Sequence, residues 1–351
     1  MNSYVHHLIA FLVALAIVLV TTPIVKHIGL KSGRVDMPGR RKVHNRPMVR
    51  LGGVSIFLGT VGALLTIWAL GGFGALPPDK EYEIWGVTLG GLFFFLIGLT
   101  DDLFGLSPAS RLFLQTLVAS GAWSAGVQIK FLSIPLIGGL IQLPVWISVP
   151  ITVLWLVGMA NAINWIDGLD GLAAGVSGIA AIVMLIVCLF MNQPAAALIV
   201  AALAGGALGF LRYNFNPAQI FMGDGGAYFI GFTLAGVGVI GLVKGVTTVA
   251  VLLPYLILAV PILDMSAVIL DRLRSGKSPF IADKRHLHHR LLKAGLSHRL
   301  TVLFIYALTF WVGSLALAFS GIPSGLGYAI AATALLTFAT WKARKQARQQ
   351  Q

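Results

Sequence analysis

The feature that most restricts this chain is a series of eleven apolar segments, set apart by short charged stretches and Gly/Pro punctuation. They run over 4–25, 52–72, 84–100, 111–128, 146–161, 170–191, 195–212, 225–243, 247–270, 301–320 and 324–341. About 20 apolar residues cross the hydrocarbon core as a helix, and the shorter segments can tilt or share their ends with loops. With 11% charged residues and a mean hydropathy of +0.89, the chain has too little polar surface to cover a water-exposed globule of its length. The fold class expected is therefore an all-α polytopic membrane protein with about 11 transmembrane helices. One integral membrane domain fills 1–341, and a basic tail follows over 342–351. The first apolar run continues to Lys26 behind a start without positive charge, so it reads as an uncleaved span. The stretch 131–145, broken by Pro135, Gly138, Gly139 and Pro144, reads as a short hairpin on the outer surface. Cys188 is alone in an apolar run, which excludes an internal disulfide and a cysteine-based zinc site.

Charge is distributed to one side. With eleven crossings, the loops 26–51, 101–110, 162–169, 213–224 and 271–300 share a face with the tail. Of 25 Lys and Arg, only Lys80, Lys130 and Lys244 fall on the opposite face. By the positive-inside rule the charged face is cytoplasmic, the N-terminus is outside and the C-terminus is inside. This places the chain in the cell's inner (plasma) membrane as a multi-pass protein and accounts for the net charge of +13 without nucleic acid. The acids need another explanation. Apart from Asp79, Glu81 and Glu83, every acid is an aspartate in or beside a loop of the charged face. Carboxylates near lipid are expensive and contribute little to orientation.

Four clusters on that face carry chemistry. Asp101 and Asp102 close the third span, where like charge and the helix C-terminal dipole both oppose them. A bound cation or a shared proton would relieve both penalties. Asn161, Asn164, Asp167 and Asp170 recur every third residue, with Gly168 and Gly171 each following one of the aspartates, and offer donors and acceptors for a base, ribose or sugar. The segment from Asn214 to Gly226 opens the eighth span. Its glycines suit close approach to phosphate, Asp224 suits a divalent cation, and Phe221 suits stacking on a base. Finally, Arg285, His286, His288 and His289 lie in the basic loop 271–300. Four Lys/Arg within 284–293 favour an anion there over a metal, through guanidinium and imidazolium groups. Lys42, His44 and Arg50 of the first loop can join the same basic pocket. Carboxylates for Mg²⁺, cations for phosphate and amides for a nucleoside together point to phosphoryl transfer where a soluble nucleotide meets a lipid. No Walker A loop or kinase signature is present.

These motifs, in this order, resemble the polyprenyl-phosphate N-acetylhexosamine-1-phosphate transferases of the glycosyltransferase 4 family. The resemblance is carried by KxHxxPxxRxGG from Lys42 to Gly53, Asp101-Asp102, NxxNxxDGLDG, NxxPAxxFMGDxG and HxHH, and it covers nearly the whole chain. It implies transfer of a sugar-1-phosphate from a UDP-sugar to undecaprenyl phosphate, with release of UMP and with Mg²⁺ (or Mn²⁺) as cofactor. By motif, Asp224 and Asp102 would be metal ligands, and Asp101 the base at the lipid phosphate. Asp167, Gly168, Asp170, Asn214 and Phe221 would serve the uridine end. His286, His288 and His289 would act at the diphosphate and sugar. The HLHH spacing resembles the WecA/TagO-like branch, which uses UDP-N-acetylglucosamine. The MraY branch, which uses the muramoyl-pentapeptide nucleotide, has three consecutive histidines. Gly105 departs from the charged or amide residue that the family often carries there. Pro254 and Pro261 would bend the ninth span and open a groove for the prenyl chain. A homodimer is compatible with this reading. The rival from another class is a secondary transporter, whose ionisable groups would lie near the bilayer midplane.

Overall fold

The structure is a computed structural model that describes residues 3–33, 35–36, 47–76, 78–133, 140–242, 248–276 and 285–349. Lys42 and His44 lie outside the described residues. Thirteen α-helices are present among them: α1 Ser3–Lys31, α2 Gly52–Ala69, α3 Pro78–Phe104, α4 Pro108–Ser124, α5 Val145–Ile166, α6 Leu172–Phe190, α7 Pro194–Asn214, α8 Gly223–Val237, α9 Thr248–Ile257, α10 Ala259–Arg274, α11 Leu287–Lys293, α12 His298–Phe319 and α13 Gly325–Gln349. A π-helical turn, Gly238–Leu242, prolongs α8. Two antiparallel strand pairs complete the set. β1 (Val35–Asp36) pairs with β2 (Met48–Val49), and β3 (Phe131–Ser133) with β4 (Leu140–Gln142).

Among the described residues, eight helices are long and apolar enough to cross a membrane, which makes the protein an all-α polytopic membrane protein. The remaining expected spans depart from the simple pattern for identifiable reasons. Helix α4 is 17 residues long, begun by Pro108 at its first position and capped by Ser107, whose hydroxyl accepts from the Ser110 amide at 3.1 Å. The ninth span is two helices, parted at Leu258. Pro261 has no amide for the Ile257 carbonyl, and its ring crowds that oxygen, so the helix cannot run through. Residues 342–349 continue α13 as helix.

Helix α8 is the buried centre, packed against α2, α3, α5, α6 and α7. Glycine makes such close approach available, as is usual between helices in lipid. A Cβ on Gly53 would run into the Gly226 backbone, and one on Gly98 would overlap the Asp224 carbonyl. The starts of α2 and α8 and the end of α3 are thereby pressed together at one end of the bundle.

Candidate active site

A strap of backbone hydrogen bonds prepares this end. Phe221 N donates to Val49 O at 2.8 Å, Gly52 N to Phe221 O at 2.9 Å and Gly53 N to Met222 O at 2.7 Å. The strap places Arg50 over the start of α8, where Gly223 turns the chain at φ +76°. Asp102, from the end of α3, accepts from the Gly225 amide at 3.0 Å and so caps α8. The penalty from its own helix dipole is offset by the positive end of another. The glycine-rich start of α8 was expected to meet phosphate. Its Gly225 amide instead holds Asp102, and its glycines serve packing.

Three carboxylates and two guanidiniums meet here. Arg50 Nη2 lies 3.3 Å from Asp224 Oδ1 and 3.6 Å from Asp102 Oδ1. Arg111 Nη1, from α4, lies 2.5 Å from Asp101 Oδ2 and 3.5 Å from Asp224 Oδ2. Asp101 Oδ1 accepts from the Leu106 amide at 2.6 Å, just past Gly105, which ends α3 at φ +71°. Asp102 Oδ1 is buried and has no hydrogen-bond partner among the described residues.

The end of α5 forms the middle of the site. Asn164 Nδ2 donates to Asp224 Oδ1 at 2.9 Å, and Asn161 Nδ2 to Gln115 Oε1 of α4 at 2.7 Å. Asp167 follows as the C-cap residue, and burial pushes its carboxyl up to about 7, with Asp102 and Asp170 adding to the rise and Arg50 opposing it. Gly168 is exposed beside it. Asp170 and Asn214 are committed within the protein. Asp170 Oδ2 accepts from Asn216 Nδ2 and the Ala218 amide, both at 3.0 Å. Asn214 is 2% exposed; its oxygen accepts from Gly171 N and its amide donates to Ile220 O. These two side chains join the 168–171 turn to the 214–220 loop and so position the residues around them. Phe221 is half-buried at the end of that loop.

The histidines close the other side. His286 Nδ1 lies 2.9 Å from Asp264 Oδ2, and the Leu287 amide donates to Asp264 Oδ1 at 2.7 Å, so Asp264 caps α11 while holding a ring. Trp165 sits edge-on to His286 and under the Arg272 guanidinium. His288 is buried, its ring parallel to His286 within 8° and 4.2 Å from His289 between centroids. Its Nε2 has no hydrogen-bond partner among the described residues and faces Gly168, where a Cβ would come within 2.5 Å of it. The imidazolium expected here is corrected for His288. Burial pushes its pKa down to about 3, and charge on His289 and His286 would push the same way, so at neutral pH it is a neutral imidazole. Arg285 Nη1 lies 2.8 Å from Asp271 Oδ2 and 3.2 Å from Ser275 Oγ.

Comparison with known proteins matches the chain to a family. A family model described as glycosyl transferase family 4 matches residues 84–242. The chain is 40% identical over 302 residues to a probable undecaprenyl-phosphate N-acetylglucosaminyl 1-phosphate transferase of Bacillus subtilis, covering 86% of this chain and 82% of that one. The chain belongs to glycosyl transferase family 4. It is also 38% identical over 318 residues to a decaprenyl-phosphate N-acetylglucosaminephosphotransferase of Mycobacterium tuberculosis, covering 83% and 76% of the two chains. An undecaprenyl-phosphate alpha-N-acetylglucosaminyl 1-phosphate transferase of Yersinia pestis shares 28% over 282 residues, 79% and 74% of the two.

Within this family member, three residues that motif reading passed over belong to the site: Arg111, Gln115 and Asp264. Arg111 and Gln115 are four apart, so they share one face of α4. That spacing, in a segment with no other charge, was the available signal. Asp264 falls within the apolar segment 247–270, where a carboxylate needs a partner.

Proposed function

We propose that this protein transfers N-acetylglucosamine-1-phosphate from UDP-N-acetylglucosamine to undecaprenyl phosphate, releasing UMP. The family and the activities named for its relatives support the reaction. The observation that carries it in this chain is the meeting of Asp101, Asp102 and Asp224 with Arg50 and Arg111 at one end of an apolar bundle. The charge distribution supports eleven crossings with this end in the cytoplasm, where the nucleotide sugar is available.

The residues fit Mg²⁺. Asp102 Oδ1 is a buried carboxylate oxygen without a hydrogen-bond partner among the described residues, and Asp224 stands across Arg50 from it. Among the described residues no three His, Cys, Asp or Glu side chains form a metal cage. Mg²⁺ is commonly held by one or two carboxylates, with water and substrate phosphates completing the octahedron. When bound, it would neutralise the diphosphate and polarise the phosphorus under attack. Asp102 and Asp224 would hold it.

The rest of the chemistry belongs to the chain. Arg111 draws the acceptor phosphate toward Asp101, which takes its remaining proton. The phosphate oxygen attacks the sugar-linked phosphorus directly, and the bond to UMP breaks. One phosphoanhydride replaces another, so the reaction is close to equilibrium. Arg50 stabilises charge on the leaving UMP. Asp167, whose carboxyl burial raises to about 7, is protonated in part near neutral pH and offers a hydrogen bond to the uracil, with Phe221 stacked on it. His288 donates to the diphosphate through a neutral N–H, and the HLHH spacing favours N-acetylglucosamine over the muramoyl-pentapeptide nucleotide.

Purified protein with undecaprenyl phosphate, Mg²⁺ and a panel of UDP-sugars should release UMP and form a lipid diphosphosugar with UDP-N-acetylglucosamine. Absence of UMP release with every UDP-N-acetylhexosamine would overturn the proposal.

A further inference from the structure

We propose that His298 and Arg299, at the start of α12, are positioning residues that hold the nucleotide-binding parts of the site in register. The proposal rests on the transferase reading above and adds what sets the affinity for the donor. The groups assigned there to UDP-N-acetylglucosamine lie on separate elements. Asp167 opens the 167–171 turn, Phe221 ends the 214–221 loop, and His288 lies on α11, which leads into α12 through 294–297. A turn, a loop and a short helix cannot fix their mutual distances through their own backbone hydrogen bonds. Something else must join them.

The start of α12 does so. The Asp170 amide donates to His298 Nε2 at 3.0 Å. Asp170 Oδ2 in turn accepts from Asn216 Nδ2 and from the Ala218 amide. The Asn216 carbonyl accepts from Arg299 Nε at 3.2 Å and from Arg299 Nη2 at 3.0 Å, and Nε also lies 3.3 Å from Asn216 Oδ1. Arg299 follows His298 in the chain, so these bonds close a circuit from α12 to the turn, from the turn to the loop, and from the loop back to α12. Tyr306, about two turns farther along α12, donates to the Gly171 carbonyl and pins the turn at a second point. The positive-inside rule accounts for a cation at this boundary. It does not account for two guanidinium nitrogens on one backbone carbonyl, or for an imidazole that accepts an amide. No bond of the circuit reaches α3 or α4, which carry Asp101 and Arg111 of the acceptor side. Holding the three elements in place before the donor arrives spares the cost of ordering them on binding, so the circuit acts on donor affinity.

The test is a split between the two substrates. His298→Phe keeps a ring but loses the acceptor. In His298→Gln the amide oxygen stands as many bonds from Cβ as Nε2 does, so it can take the Asp170 amide. In His298→Phe the KM for UDP-N-acetylglucosamine should rise about tenfold, and the calorimetric Kd for UMP with it. The kcat and the KM for undecaprenyl phosphate should stay within about twofold of the parent. His298→Gln should recover the donor KM to within about threefold. Arg299→Ala changes an exposed side chain and should raise the donor KM about threefold. In a closed circuit the second break costs less than the first, so the double variant should stay near tenfold and not reach the ~30-fold product. A fall in kcat with the donor KM unchanged, a glutamine variant no better than the phenylalanine one, or a double variant at the full product would overturn the proposal. If His298→Phe does not fold, Arg299→Ala carries the test, and an unchanged donor KM in it overturns the proposal. If the parent neither turns over nor binds UMP, the function reading fails instead, and unfolding in detergent decides the circuit. Midpoint shifts of the single variants that simply add in the double variant overturn it, and a smaller combined shift supports it.

Discussion

The two sides of the site handle charge in opposite ways. On the carboxylate side, Asp101, Asp102 and Asp224 keep company with Arg50 and Arg111 at salt-bridge distances, so charge is balanced by opposite charge. On the histidine side, Asp264 is engaged by His286 and the Leu287 amide, and His288 is kept neutral by burial. The first side can exchange one cation for another and adapt to an arriving phosphate. The second offers fixed dipoles that need no rearrangement as charge develops. Under the proposed function, a diphosphate between them would meet mobile countercharge at one end and preorganised donors at the other.

The largest break in this comparison should come from Asp224→Asn. The amide oxygen can still accept from Asn164, so the fold should persist, but the charge shared with Arg50 and Arg111 is gone. Turnover should fall on the order of 10³-fold, with the unfolding midpoint in detergent within a few degrees of the parent. Activity above a tenth of the parent would remove Asp224 from the essential set.

Asp264→Asn tests the other side and should cost less. The amide oxygen keeps the Leu287 bond but loses the charged partner of His286. A charge-assisted bond of roughly 1.5–3 kcal/mol corresponds to about tenfold to hundredfold in kcat. Asp264→Ala, which loses both bonds, should be worse in kcat, with the KM for UDP-N-acetylglucosamine little changed in either. If the alanine variant matched the asparagine variant, Asp264 would not act by positioning His286.

The smallest effect concerns pH. His288 titrates near 3 in the fold, below the ordinary histidine value of 6.5, so below 6.5 the unfolded chain takes up a proton that the folded chain refuses. The stability this group contributes is therefore complete above pH 6.5 and is lost as pH falls toward 3, about 2 kcal/mol of it between pH 7 and pH 5. Unfolding of parent and His288→Gln at those two pH values should show the parent losing about that much more. Equal losses would mean that His288 protonates in the fold and that the two sides do not differ as described.

Much of the site was legible because its residues break local rules. Paired aspartates at a helix end, aspartates at the mouths of apolar spans and HLHH in a basic loop all demand an explanation from chemistry. What those residues touch was not legible. Asn214 and a glycine-rich turn read as substrate contacts, yet Asn214 spends both amide groups on Gly171 and Ile220, and Gly225 gives its amide to Asp102. Arg111 looked like one more topological charge until α4 was seen to carry it to Asp101.

The sequence by itself determined that the chain is a bundle of membrane helices, because hydropathy acts locally and repeats along the chain. The tertiary structure alone decided that Asp102 caps α8 and that Asp264 holds His286. Those outcomes depend on how closely helices approach, and glycine contacts such as Gly53 against Gly226 set that distance between residues far apart in the chain.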